Sequence, residues 1–389
     1  MRSLPRSRLP ATSETTLLKL VTLSLSLACA PADQMAQAAG EWRTDFSRHT
    51  VPLDEIVPGG PPKDGIPAID TPKFETVRSA DRWLEKRDPV IVVEHSETIR
   101  AYPLQILIWH EIVNDRIGDL PLAVTYCPLC NTAIVFDRRH DGRVLDFGTT
   151  GRLRHSDLVM YDRQTESWWQ QATGEAIVGE LAGDTLRWVD AQTLSWAEFK
   201  ATHPEGDVLS RETGFSRPYG TNPYAGYDAP DGSPLRGFFR GKRDTRLPAM
   251  ERVVAVRVGR ATVAYPFSRM REVRVVNDVV GARPLAIFWA PGTASALDQS
   301  RVASGRDVGA SGVFDRRVGC PSTTGGCRTL TFEAVSDGVF RDRETRSTWN
   351  LRGRAISGPL HGSRLTAVPS GDYFWFAWAV FRPETRVWR

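Results

Sequence analysis

The 389 residues contain no Gly-x-Ser-x-Gly elbow, no phosphate loop and no dinucleotide fingerprint, so no nucleotide cofactor is expected. After the first 38 residues no uninterrupted apolar run approaches the roughly 18 residues that a membrane-spanning helix needs. Strong charge of one sign is missing as well. The formal charge is +4 and the arginines are scattered rather than gathered in a stripe, which argues against nucleic acid as a partner. Cysteine is scarce, with five residues, and only Cys127 and Cys130 form a Cys-x-x-Cys pair.

What is present is a repeat. Ala101-Tyr102-Pro103 recurs as Ala264-Tyr265-Pro266, Val113-Asn114-Asp115 as Val276-Asn277-Asp278, and Pro121-Leu122-Ala123 as Pro284-Leu285-Ala286, all at an offset of 163. At an offset of 180, Ser156-Asp157 matches Ser336-Asp337, and Asp162-Arg163-Gln164-Thr165 matches Asp342-Arg343-Glu344-Thr345. A period this long does not suit a solenoid and indicates two homologous domains. The expected fold is mainly β with short helices (α+β): two barrel-like or sandwich-like domains from an internal duplication.

The expected organisation begins with a secretory signal peptide at 1–38, where basic residues precede an apolar stretch, Leu20 to Ala30, and Ala36-Gln37-Ala38. An N-terminal arm at 39–86 follows, then a first repeat domain at 87–210, a Gly/Pro/Tyr-rich connector at 211–248 and a second, degenerate repeat domain at 249–389. The mature protein is then extracytoplasmic, most simply periplasmic and soluble. Lipid anchoring at Cys29 is the weaker alternative, because the preceding residues only loosely resemble a lipoprotein site. Within the first domain, local patterns predict a helix at Ala80–Lys86 capped by Ser79, strands at Pro89–Val93 and Thr98–Tyr102, and a brief helix from Pro103. Further strands are expected at Leu122–Tyr126, Thr132–Phe136, Leu158–Tyr161 and Trp168-Trp169, with a helix at Thr193–Thr202.

Comparing the halves singles out candidate chemistry. Cys127 faces Ala290, Cys130 falls against Gly292 and His110 faces Val273, so three potential metal ligands vanish together. His155 and Met160 are replaced by Val335 and Phe340. The β-prone run after Cys130 places the pair in a turn between strands, the shape of a metal knuckle, rather than at a helix N-terminus as in thioredoxin-type enzymes. His110, on a strand-like segment, is the first choice for a third ligand, with His155 or Met160 completing the set. Cysteine, histidine and methionine together suit copper(I); two cysteines with histidine suit zinc. Two other readings stay open: a thiol–disulfide oxidoreductase using Cys127 and Cys130, and a binding or scaffold module in which they form a structural disulfide. His110-Glu111-Ile112-Val113-Asn114 is not a zincin motif, since its fifth residue is Asn. Cys320 and Cys327 flank a Gly-rich insertion and suggest a local structural disulfide, although four cysteines allow three pairings.

Four segments resemble the bacterial family catalogued as domain of unknown function 3179. They are Gly59 to Ala68, Trp109 to Asp115, Thr125 to Cys130 and Met160 to Thr165. The resemblance covers nearly all of the mature chain. It implies exported or membrane-associated bacterial proteins, and it implies no activity, substrate or partner. The family often carries Asn where this chain has His155.

Overall fold

The computed structural model describes residues 40–319 and 327–389. The expected signal peptide and Cys29 lie outside the described residues. So does Cys320; Cys327, at the edge of that segment, is not a free thiol.

Strands account for 42% of the chain and helices for 12%, so the mainly β reading with few short helices holds. The strands form several small sheets. One sheet of residues 74–209 orders its strands Ala191–Ser195, Pro89–His95, Thr98–Pro103, Asp207–Leu209 and Phe74–Thr76. A second runs Arg187–Val189, Thr132–Asp137, Leu120–Cys127 and Ile112–Ile117. The third runs Ile56–Pro58, Phe147–Arg154, Asp157–Asp162, Trp168–Gln170 and Glu175–Val178. The later part of the chain orders its main strands alike: Ser370–Phe374, Arg252–Val258, Ala261–Pro266 and Arg386–Val387 form one sheet. The hairpin Val275–Val280 and Arg283–Ala290 continues into Ala310–Asp315 and Thr366–Ala367.

The barrel expectation is corrected. Every sheet among the described residues is open, with at most five strands, whereas a closed barrel of common size needs about eight. The halves bury apolar surface together instead. Leu194, Trp196 and Phe199 share one hydrophobic cluster with Phe288, Phe314, Phe340 and Trp349. Cys127, Cys130 and Tyr126 share another with Tyr373, Phe374 and Trp375.

Three local expectations shift. The first helix is Val77–Ala80 rather than 80–86, because extended Thr76 caps it, its Oγ1 accepting the Ser79 amide at 3.2 Å. Thr193 to Ser195 belong to a strand paired with Pro89–Ile91, so the helix starts at Trp196 with Ser195 as its cap. His110 is the last residue of a helix, Leu104–His110, not part of a strand. That helix ends at Glu111, which adopts φ +57° and closes onto the Leu107 carbonyl.

Candidate functional site

Two hairpins build the site. In the first, Leu120–Cys127 pairs with Thr132–Asp137, and Cys127 is the last residue of its strand, opposite Thr132. The connecting turn is held by Cys130 N–H to Cys127 O at 3.3 Å and Asn131 N–H to Pro128 O at 3.2 Å. Asn131 sits at φ +53°, a left-handed conformation that asparagine tolerates. The expected turn between strands is therefore present.

The second hairpin pairs Phe147–Arg154 with Asp157–Asp162, with Arg154 opposite Asp157. Its two-residue loop, His155 and Ser156, has φ of +54° and +69°, the two positive values of a type I′ turn. This turn aims the Ser156 carbonyl at both thiols: Cys130 Sγ donates to it at 3.4 Å and Cys127 Sγ at 3.8 Å. It also makes Asp157 the first residue of the returning strand. Cys127 Sγ, Cys130 Sγ and an Asp157 carboxylate oxygen all lie within 4.8 Å of one another, and all three residues are buried. Asp157 Oδ2 accepts from Gln170 Nε2 and from the Ala172 amide at 2.9 Å, while Oδ1 is buried without a hydrogen-bond partner.

Burial sets the electrostatics. It pushes the Cys127 and Cys130 thiols above their ordinary range. It raises Asp157 to about 6 against the bonds from Ala172 and Gln170. Glu111 is raised to about 8, by burial first and then by the Asp157 charge. The cysteines are thus neutral thiols at neutral pH in the metal-free protein, the opposite of an activated thiolate.

Glu111 yields a stability prediction. Its folded value lies above its ordinary 4.5, so the fold favours the neutral acid. That contribution is complete below about pH 4.5 and is lost as pH rises through about 8. Denaturant titrations of Glu111→Gln should show a flatter stability–pH profile than the parent across this window. The difference at pH 8 should be on the order of a few kcal/mol in the variant's favour. Parallel profiles would contradict it.

The knuckle is covered from two sides. Tyr227 of the connector donates to Leu129 O at 2.9 Å, and the Ser156 amide bonds Phe238 O at 2.8 Å. From the later half, the Phe374 amide donates to Cys130 O at 2.9 Å, and Arg252 donates to Asn131 Oδ1 at 2.7 Å.

The structure does not bring His110 into this group. Its Nδ1 lies 2.8 Å from Pro67 O, which can only accept, so Nδ1 carries the proton. Nε2 is left to accept from the Tyr219 hydroxyl at 2.7 Å, and both ring nitrogens are occupied. His155 points its Nε2 at Glu55 Oε2, 3.2 Å away, and packs beside Phe239 and Phe381. Burial and Arg154 lower it to about 4. Met160 is fully buried in the hydrophobic cluster that holds the cysteines.

Asp157 was missed for an identifiable reason. It matches Asp337 of the other half and so reads as shared scaffold. Asp337 precedes Gly338 in a turn shifted along the hairpin; its side chain is 68% exposed and faces Arg274 at 3.5 Å. One other donor group, His140, Asp141 and Asp184, lies toward the surface, with His140 Nε2 on Asp184 Oδ2 at 2.9 Å.

A family model described as "Protein of unknown function (DUF3179)" matches residues 63–385. The chain belongs to the DUF3179 family. No curated protein and no solved structure matches this DUF3179 chain. No helix among the described residues is long and apolar enough to cross a membrane. The match begins at Lys63, inside the Pro/Gly-rich arm, and takes in both hairpins of the cysteine site. The arm is packed down along the second hairpin of this DUF3179 chain: Asp64 N–H donates to Thr149 O at 2.9 Å, and Tyr161 donates to Asp64 at 2.5 Å.

Proposed function

We propose that this protein binds one transition-metal ion through Cys127, Cys130 and Asp157. The observation that carries the reading is the meeting of two sulfurs and a carboxylate from separate hairpins, all three residues buried. Thiols and carboxylate that interact directly in the metal-free protein are placed to exchange the thiol protons for a cation. Two thiolates and a carboxylate suit zinc better than copper(I), because the hard oxygen donor takes the place expected for histidine or methionine. His110, His155 and Met160 are not required. The later half, which has Ala290 and Gly292 in place of the cysteines, supports the site by covering it. The related strand orders and sequence matches support an origin by duplication, and the N-terminal segment supports an extracytoplasmic setting, where metal binding would compete with disulfide formation.

Titration of the reduced protein with zinc against a chromophoric chelator tests the proposal. One equivalent bound, lost on oxidation of the cysteines, is the expected result. A protein that takes up no zinc, copper or iron after reduction, yet cycles Cys127 and Cys130 reversibly with a dithiol, would replace it with the oxidoreductase reading. A Cys127–Cys130 couple below about −300 mV with no metal bound would mark a structural disulfide instead.

The raised thiols give a further prediction. Metal must displace the thiol protons, so apparent zinc affinity should rise with pH between about 6 and 9 by up to two protons per ion. Proton release measured in two buffers of different ionisation enthalpy checks this; a pH-independent affinity would contradict it.

A further inference from the structure

The two halves share one piece of geometry but finish it differently. Asn114 Nδ2 donates to Phe147 O at 2.8 Å, and its Oδ1 accepts the Phe147 amide at 2.9 Å. Asn277 clamps Phe332 in the same way, with both bonds at 2.9 Å. In the first half the N-terminal arm closes the strand edges that meet at this clamp. Ile56–Pro58 pairs with residues 152–154, Gly59 N–H donates to Gly151 O at 2.7 Å, and Asp64 N–H reaches Thr149 O. Ile69 N–H donates to Ile112 O and its carbonyl accepts the Asn114 amide, both at 2.9 Å. Charge pins the arm as well: Arg163 bonds Asp70 at 2.6 Å and Lys63 bonds Glu166 at 3.0 Å.

No described segment plays this part in the later half, where Val275–Val280 and Phe332–Ser336 are both edge strands. The Val275 carbonyl, the Asn277 amide and the Ala334 carbonyl stand where Ile112, Asn114 and Thr149 meet the arm. They point away from the strands they pair with, and none bonds a described residue. Asn114 and Thr149 are buried, whereas Asn277 and Ala334 are exposed. On the same two strands Val279 is 56% and Val335 45% exposed. Such edges are open templates for a further strand. The charges differ too. Arg343, which matches Arg163, faces Glu333 at 3.4 Å, and Arg346 stands in the place of Glu166. Their side chains are 63% and 66% exposed. A segment lying here as the arm lies on the first half meets two arginines, where the arm meets an arginine and a glutamate. We propose that the later half adds an extended, acidic segment of a partner protein to these edges by strand pairing. The inference is independent of the metal site.

Fluorescence anisotropy of the full chain with a labelled synthetic peptide of residues 54–72 carrying Lys63→Glu tests it. That substitution opposes Glu166 of the first half and matches Arg346 of the later one. The peptide should bind with a Kd of about 100 μM or tighter, and about fivefold more tightly than the unsubstituted peptide. Arg346→Glu in the protein should reverse the preference, and Arg343→Glu should weaken both peptides about fivefold. Ala334→Pro, which removes an outward amide from the edge, should weaken both by a similar factor. All three positions are exposed, so the fold should survive. No binding at about 1 mM would overturn the inference. So would a scrambled peptide that binds as tightly, or a preference unchanged by Arg346→Glu. A dimer of the chain lost on Arg343→Glu would give the edges to a second copy and overturn it equally.

Discussion

Cys127→Ser and Cys130→Ser should each reduce zinc affinity by more than about 100-fold, measured by chelator competition at pH 7.5. Loss of a residue that merely orients a ligand typically costs 10–100-fold, so loss of a thiolate donor should exceed that. Serine is nearly isosteric, and the hairpin carrying the turn is paired from Leu122↔Asp137 to Cys127↔Thr132, so the fold should survive. Asp157→Asn should have a smaller but clear effect, because an amide oxygen can still coordinate without the charge. His110→Gln should leave zinc affinity within about twofold, since its ring is committed to Pro67 and Tyr219. Equal losses for His110→Gln and Cys127→Ser would mean that the ligand set is wrong.

Arg252→Met should destabilise the protein by about 3 kcal/mol. Arg252 donates to Asn131 Oδ1 and Ser295 Oγ at 2.7 Å and to Asp228 Oδ2 at 2.8 Å. It therefore joins the cysteine turn, the connector and the later half. Asp228 is fully buried, and against the cost of burial Arg252, Ser295 and Arg306 hold its carboxyl below the usual carboxylate range and so keep it anionic. Removing Arg252 leaves that charge with one guanidinium, which costs more than the lost bonds themselves. Asp228→Asn in the same background should recover part of the loss, a recovery expected only if the orphaned charge is the cause. Because Asn131 follows Cys130, zinc affinity should also fall about tenfold. Unchanged stability by chemical denaturation would show that the later half does not brace the site.

The turn between strands was readable because its flanks, Leu122–Tyr126 and Thr132–Phe136, are β-prone and it holds Pro128 and Asn131. The mainly β character followed from the same patterns. The third donor was not readable. Subtracting one half from the other retains residues that changed identity, but the role of Asp157 depends on turn register. The His155-Ser156 loop buries Asp157 at the start of a strand, while the Asp337-Gly338 loop leaves its match in solvent. His110 misled for the complementary reason: it differs between the halves, but a helix in place of a strand turns it toward Pro67 and the connector.

X-ray absorption at the zinc edge of the reduced, zinc-loaded protein tests the central claim most directly. The account predicts two sulfur scatterers at about 2.3 Å and at least one oxygen at about 2.0–2.2 Å, with one sulfur lost in Cys127→Ser. A first shell of nitrogen and oxygen alone, or one unchanged by that substitution, would contradict it.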